Sequence, residues 1–324
     1  MDEKEQRKVE RKIFRNFLKS KEFSEFEKES LKVLKSALFA AYSFYREGYF
    51  EYLMENQEQL DAIINSFNHD SKIAIESLLK DAEYVSTHNF IDLLQNLLNN
   101  RESIMRHLER VNSYRYLKLH ANLYEQSVFD YHHGLIYLPQ ETLNELKGKD
   151  FIDCGAYIGD SALIFETFYN PRKVYAFEPD PENYNYMVKT IEINDLKKVE
   201  PLNLGVGDTE EKVNFFHMSS ASHIISDNSN SKVQITSIDK YMAGKDLNVG
   251  LIKMDVEGFE LQALKGAKKT IEQFKPVLSL SIYHNAEQFI DVINYVQNLD
   301  LDYHIIIRHL SDFVPIAETY LIAW

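Results

Sequence analysis

Two stretches of this 324-residue chain place flexible and charged residues where chemistry would need them. The first reads Phe151-Ile152-Asp153-Cys154-Gly155-Ala156-Tyr157-Ile158-Gly159-Asp160-Ser161. An apolar run breaks here into a turn in which Gly155 and Gly159 let the backbone bend tightly and approach a ligand closely. Asp160-Ser161 then opens a helix, with Asp160 expected as its N-cap. Such glycines alone are weak evidence, because small residues pack at many strand-helix turns. The next apolar run, Val174-Tyr175-Ala176-Phe177, ends in Glu178-Pro179-Asp180-Pro181. A carboxylate at a second strand end can accept the hydroxyl hydrogens of a ribose. Asp180-Pro181 supplies an N-cap followed by proline at the first helical position.

Turn and carboxylate together predict a nucleoside-type cofactor, and two classes fit: a dinucleotide or S-adenosylmethionine. The dinucleotide fingerprint wants a third glycine and a helix N-terminus open to a pyrophosphate. That glycine is missing, and Asp153 and Asp160 bracket the turn instead. Carboxylates repel a pyrophosphate and attract the ammonium and sulfonium of S-adenosylmethionine, which is therefore preferred. The expected cofactor contacts are Asp153, Gly155, Ala156, Tyr157, Gly159, Asp160, Ser161, Glu178 and Pro179. Asp208, after Leu204-Gly205-Val206-Gly207, is positioned either to reach an adenine edge or to sit in a glycine-assisted hairpin leading into Lys212–His217.

The second stretch, Leu251-Ile252-Lys253-Met254-Asp255-Val256-Glu257-Gly258-Phe259-Glu260, ends an apolar strand in alternating charges. If the strand continues, Lys253, Asp255 and Glu257 share one side. They are costly to bury unless paired or used, so the alternatives are a Lys-Asp pair at the sheet rim and a catalytic set. The following strand, Val277–Ile282, ends in Tyr283-His284-Asn285. His284 is the expected general base beside Asp255, because its ordinary pKa lies near neutrality. Alternatively Asp255 with Asn285 or His284 binds a divalent metal that lowers an alcohol's pKa. Catalytic candidates are thus His284, Asp255 and Lys253, and metal candidates Asp255 and Asn285. His132, His133, His217 and His223 lack a comparable setting.

These residues require a sheet whose carboxyl edge gathers them. Strand candidates are Phe151–Cys154, Val174–Phe177, Leu202–Val206, Leu251–Met254, Val277–Ile282, Tyr303–Ile307 and Tyr320–Trp324. Helical patterns at 161–168, 182–193, 259–274 and 286–298 separate them, which predicts an α/β, Rossmann-like, mostly parallel sheet covered on both faces. Residues 127–138 look like a short hairpin turning at His133-Gly134. Residues 1–120 form a helical unit with no Pro and one Gly, Gly48. That unit is expected to act as a lid, a substrate surface or a homo-oligomer contact, with residues 121–324 as the cofactor domain.

The formal net charge is −14, and it is uneven. Residues 1–120 carry 19 Lys+Arg against 20 Asp+Glu, and the remainder 17 against 30. That disfavours nucleic acid and anionic lipid as partners. A single cysteine, Cys154, suits a reducing compartment. With a charged N-terminus and no apolar run long enough to span a bilayer, the expected location is the cytoplasm.

Asp153–Asp160, Phe177-Glu178-Pro179-Asp180, Gly205-Val206-Gly207-Asp208, Thr236-Ser237-Ile238-Asp239 and above all Lys253–Glu260 followed by Leu264-Lys265-Gly266-Ala267 resemble the FkbM family of methyltransferases. The resemblance spans roughly residues 128–324. It implies a seven-stranded sheet with an antiparallel last strand, and O-methylation of a sugar, glycan or secondary-metabolite hydroxyl. Two departures stand out: Tyr157 replaces the more usual Asn, and the helical segment lies outside the family core. The rival readings are a binding or scaffold protein on a degenerate methyltransferase fold, and a nicotinamide-dependent oxidoreductase.

Overall fold

The computed structural model describes residues 3–119, 124–216, 223–224 and 231–324. The chain begins with α1 (Glu3–Lys19), α2 (Glu25–Tyr45), α3 (Tyr49–Glu55), α4 (Gln57–Ser66), α5 (His69–Thr87), α6 (Phe90–Asn99) and α7 (Arg101–Ser113). Each boundary has a local cause. In α2, Ser24 accepts from the Glu27 N–H while the Glu27 carboxylate accepts from the Ser24 N–H, a reciprocal cap. Its buried face is Leu31, Leu34, Leu38, Ala41, Tyr42 and Tyr45, the apolar stripe expected from 3.6 residues per turn.

After α8 (Gln126–Phe129), a 3₁₀ segment (His132–Tyr137) and α9 (Gln140–Glu145), the alternation starts. It comprises β1 (Asp150–Cys154), α10 (Asp160–Tyr169), β2 (Lys173–Phe177), α11 (Pro181–Ile193), β3 (Val199–Leu202), β4 (Gly205–Val206), β5 (Glu211–Phe216), β6 (His223–Ile224) and β7 (Ser231–Thr236). It continues with α12 (Ile238–Tyr241), β8 (Val249–Met254), α13 (Glu260–Gly266), α14 (Lys268–Phe274), β9 (Val277–Ser281), α15 (Ala286–Gln297), β10 (Ile305–His309) and β11 (Thr319–Ala323). The main sheet has seven strands in the order β10-β11-β9-β8-β1-β2-β3. Its pairings are parallel except at β11, which runs antiparallel to both neighbours. Every residue of β1, β8 and β9 is buried, as strands covered on both faces must be.

The helical segment packs against this sheet rather than standing apart. α5 lies along the edge strand β10, and α3 and α4 meet α15. The Ile307 N–H donates to the buried Ser71 hydroxyl at 3.1 Å, so a helix side chain satisfies an edge-strand donor. The expected boundary at 120/121 falls on residues 120–123, outside the described ones.

Four local expectations are corrected. Residues 127–138 form no hairpin, because His132, His133 and Gly134 have φ of 47°, 51° and 84°, three successive left-handed residues that no strand accommodates. The strand expected at 202–206 divides: β3 ends at Leu202 on β2, while β4 pairs with β7 in a separate four-stranded sheet, β4-β7-β5-β6. The helix expected over 259–274 breaks at Ala267. Gly266 passes so close to the Gly207 carbonyl that an added Cβ would overlap it. Finally, the cap of α10 is Gly159, at φ 82°, and Asp160 is the first helical residue.

Candidate active site

A cleft of about 150 Å³ opens where β1, β2, β4 and β8 end. This is where ligands sit in sheets of this class. The turn after β1 is tied to β2, since the Gly155 and Ala156 N–H groups both donate to the Phe177 carbonyl at 2.9 Å. Gly155 has φ 75°, and a Cβ there would overlap the Asp255 carbonyl oxygen. Gly155→Ala is therefore expected to abolish ligand binding in the cleft and lower the melting temperature by several degrees, read by thermal denaturation. A melting curve matching wild type would show that the turn tolerates a side chain.

Glu178 is held by the same turn. Its carboxylate accepts from the Tyr157 N–H at 2.9 Å and the Asp180 N–H at 2.8 Å. Burial raises it to about 8, although those two amides pull the other way. Asp160 is also raised by burial, to about 6. Tyr157 (φ 46°), Ser161 and Pro179 line the cleft with them.

Other expected contacts are placed differently. Asp153 is fully buried and paired to Lys253 at 3.2 Å. The Lys253 ammonium also donates to the Gly155 carbonyl at 2.7 Å. Burial would lower this lysine, yet Asp153 and Asp255 raise it, so it stays charged. Lys253 therefore clamps the turn from below. Ala156 is buried, and Gly159 packs against Met187. Asp208 is exposed in the turn between β4 and β5 and is not among the residues that line the cleft.

Asp255 faces the cleft from the end of β8. Tyr320 donates to it at 2.6 Å, Tyr283 at 3.3 Å, and His284 Nε2 lies 3.3 Å away. Burial opposes its charge, but His284 and Lys253 prevail and hold it below the usual carboxylate range. The strand does not continue to Glu257. That residue has φ 53°, and the turn returns its carboxylate to 3.4 Å from the same His284 Nε2. Glu257 is raised by burial to about 7.

His284 does not suit a base titrating near neutrality. Burial lowers it, but Glu260 at 2.8 Å from Nδ1, with Glu257 and Asp255, lifts it to about 10. It is an imidazolium that joins three carboxylates. Asp255, Glu260 and His284 are the group among the described residues whose ligand atoms gather within 4.8 Å. Glu260 Oε1, however, already accepts from the Val256 N–H at 2.9 Å and the Ser281 hydroxyl at 3.0 Å. Asn285 caps α15 through the Gln288 N–H at 2.7 Å. This donor set fits a charged histidine better than a divalent cation.

His133, Glu125, Glu318, Tyr283 and Tyr320 also belong to the site, and sequence reasoning gave none of them a role there. His133 lies between Ser161 Oγ at 2.8 Å and the Tyr320 hydroxyl at 3.3 Å, kept neutral by burial. Its signal, two histidines before a glycine, shows only once their left-handed backbone is known. His217 lies outside the described residues.

Residues 153–305 match the methyltransferase FkbM domain. A curated relative, hexuronic acid methyltransferase AglP of Haloferax volcanii, is 27% identical over 141 residues, covering 42% of this chain and 57% of that protein. The crystal structure of methyltransferase FkbM from Methylobacillus flagellatus KT has the same fold, with a TM-score of 0.59 and 20% identity. That match covers 85% of this chain and 60% of the other. No described helix is long and apolar enough to cross a membrane. Through residues 153–305, the chain is thus similar to the FkbM methyltransferase domain family.

Proposed function

We propose that this protein transfers a methyl group from S-adenosylmethionine to a hydroxyl of a sugar. The observation that carries the reading is the convergence of the Gly155 turn, Glu178 and Asp255 on one acid-lined cleft. The residues present suit the cofactor. The Gly155 cradle has no room for a side chain, Glu178 is aimed as a ribose acceptor, and Asp160 adds charge complementary to an ammonium. When bound, the cofactor supplies an electrophilic methyl on a sulfonium. The sugar acceptor is supported by the family and by the name of the Haloferax relative.

The chain's own work is positioning and proton transfer. In-line displacement needs the attacking oxygen held on one axis, and such positioning supplies much of the acceleration. Tyr320, Tyr283 and His284 fix the Asp255 carboxylate, which accepts the hydroxyl hydrogen and aligns an oxygen lone pair. Glu257, the second carboxylate on His284, is the destination of the released proton. Because burial raises Glu257 to about 7, it is ionised only above that pH. Turnover is expected to rise with pH through about 7, and Glu257→Gln to flatten that limb. A pH–rate profile with the limb unchanged in Glu257→Gln would remove Glu257 from the chemistry.

The cofactor class is tested by thermal denaturation with S-adenosylhomocysteine, S-adenosylmethionine, NADH and NADPH. Stabilisation by the first two alone is expected. Stabilisation by the nicotinamides would favour an oxidoreductase, and by none of the four a scaffold protein.

A further inference from the structure

The helical segment builds part of a second cavity, of about 100 Å³, next to the cleft. α2 contributes Val33 and Ala37, α7 contributes His107, and Phe313 comes from the segment between β10 and β11. Glu125 and Glu318 line both spaces, so the two cavities meet at these carboxylates. Tyr45 of α2 is also close enough to Glu257, Glu318 and Asp255 for their charges to reinforce the effect of burial in raising its phenol. The helices therefore reach the reacting end of the cleft.

Two polar atoms in this second cavity lack partners. His107 is 8% exposed and stands edge-on to Phe313 at 5.2 Å, yet its Nδ1 makes no hydrogen bond. Burial lowers it to about 4, so the ring is neutral. Glu318 Oε2 is likewise buried and unpartnered. Buried polar groups in native proteins are almost always satisfied, so orphans lining a cavity point to a missing partner. A neutral imidazole nitrogen is a donor or an acceptor according to tautomer, and a hydroxyl answers either. No lysine or arginine is among the described residues that line this cavity. The cations at the adjoining cleft are already engaged, Lys253 by Asp153 and the Gly155 carbonyl and protonated His284 by Asp255, Glu257 and Glu260. An anionic ligand would enter a space already lined by Glu125, Glu318, Asp255 and Glu257, with no uncommitted cation among the described lining residues.

We infer that this second cavity is the acceptor subsite and that it takes an uncharged hydroxylated ring, a neutral hexose or deoxyhexose unit. Hydroxyls of the ring meet His107 and Glu318, and the one to be methylated projects past Glu125 into the cleft. Ala37, at the rim, is exposed and leaves an exit for the rest of a glycan. The inference rests on the methyl-transfer reading above and extends it to the choice of acceptor.

The test uses the full chain labelled with ¹⁵N-histidine and saturated with S-adenosylhomocysteine. Methyl glycosides of glucose, galactose, mannose and rhamnose are titrated against methyl glucuronoside, and the His107 ring-nitrogen resonances are followed. At least one neutral glycoside is expected to shift them, with the glucuronoside about tenfold weaker or worse. Val33→Phe, or Ala37→Leu at the rim if that variant does not fold, is expected to weaken the neutral glycoside about tenfold. Affinity for S-adenosylhomocysteine should stay within about twofold. Equal or tighter glucuronoside binding overturns the charge assignment. Binding that leaves His107 unmoved or ignores the filling variants overturns the location, and no binding by any glycoside overturns the subsite. Failure to bind S-adenosylhomocysteine at the outset would instead overturn the methyl-transfer reading, and this inference with it.

Discussion

Asp255→Asn is expected to lower kcat by about 10²–10⁴-fold while leaving affinity for S-adenosylhomocysteine nearly unchanged. The substitution keeps the size of the side chain and removes its charge. Three donors now converge on the carboxylate: the Tyr320 and Tyr283 hydroxyls and protonated His284. An amide cannot accept from all of them, because its NH₂ group would face at least one donor. The acceptor hydroxyl then loses both its alignment and the group that receives its hydrogen. Methyl transfer followed by mass spectrometry gives kcat, and calorimetry gives the affinity. Turnover near wild type would place the reaction elsewhere in the cleft. Loss of affinity in parallel with kcat would mean that Asp255 holds the cofactor instead.

Glu178→Ala is expected to weaken S-adenosylhomocysteine binding about ten- to a hundredfold, the equivalent of about 1.5–3 kcal/mol for charged hydrogen bonds. The backbone amides of Tyr157 and Asp180 fix the carboxylate in the free protein, so little rearrangement accompanies binding. Burial raises Glu178 to about 8, and at neutral pH the free protein carries a proton there. Ribose hydroxyls donate best to the ionised form, so binding should release that proton and tighten as pH rises towards 8. Calorimetry in buffers of different ionisation enthalpy reads both effects. Unchanged affinity in the variant, or binding heat independent of buffer, would remove Glu178 from the ribose.

The cofactor end of the cleft was legible because its causes are local. A glycine turn after β1 and a carboxylate ending β2 follow from strand period and turn chemistry, and Asp180-Pro181 capped α11 as expected. The reaction end was less legible, since its properties come from groups distant in sequence. His284 carries a charge because Glu257, Glu260 and Asp255 surround it, and only the left-handed turn at Glu257 brings that carboxylate back. Asp208 read equally as an adenine contact or as part of a glycine-assisted hairpin, because strand order alone does not reveal that β4 leaves the main sheet. Periodicity gave the helices of residues 1–120. It held no information on where they dock, because docking depends on residues such as Ser71 and His107 that fit the helical pattern like any neighbour.

The hydroxyl of Ser71 on the edge-strand amide of Ile307 bears on how this chain can change over time. A strand edge that a helix closes is a seam, and both sides of a seam must drift together. A bulkier residue at position 71 would lift α5 from β10, and an insertion in β10 would shift the amide away from its acceptor. The helical segment is thus bound to the rate at which the sheet itself can vary, even though the catalytic motifs lie wholly outside it. A graft that carried residues 153–305 onto another protein would leave behind Tyr320, which holds Asp255, along with the border strand and the helix that closes it.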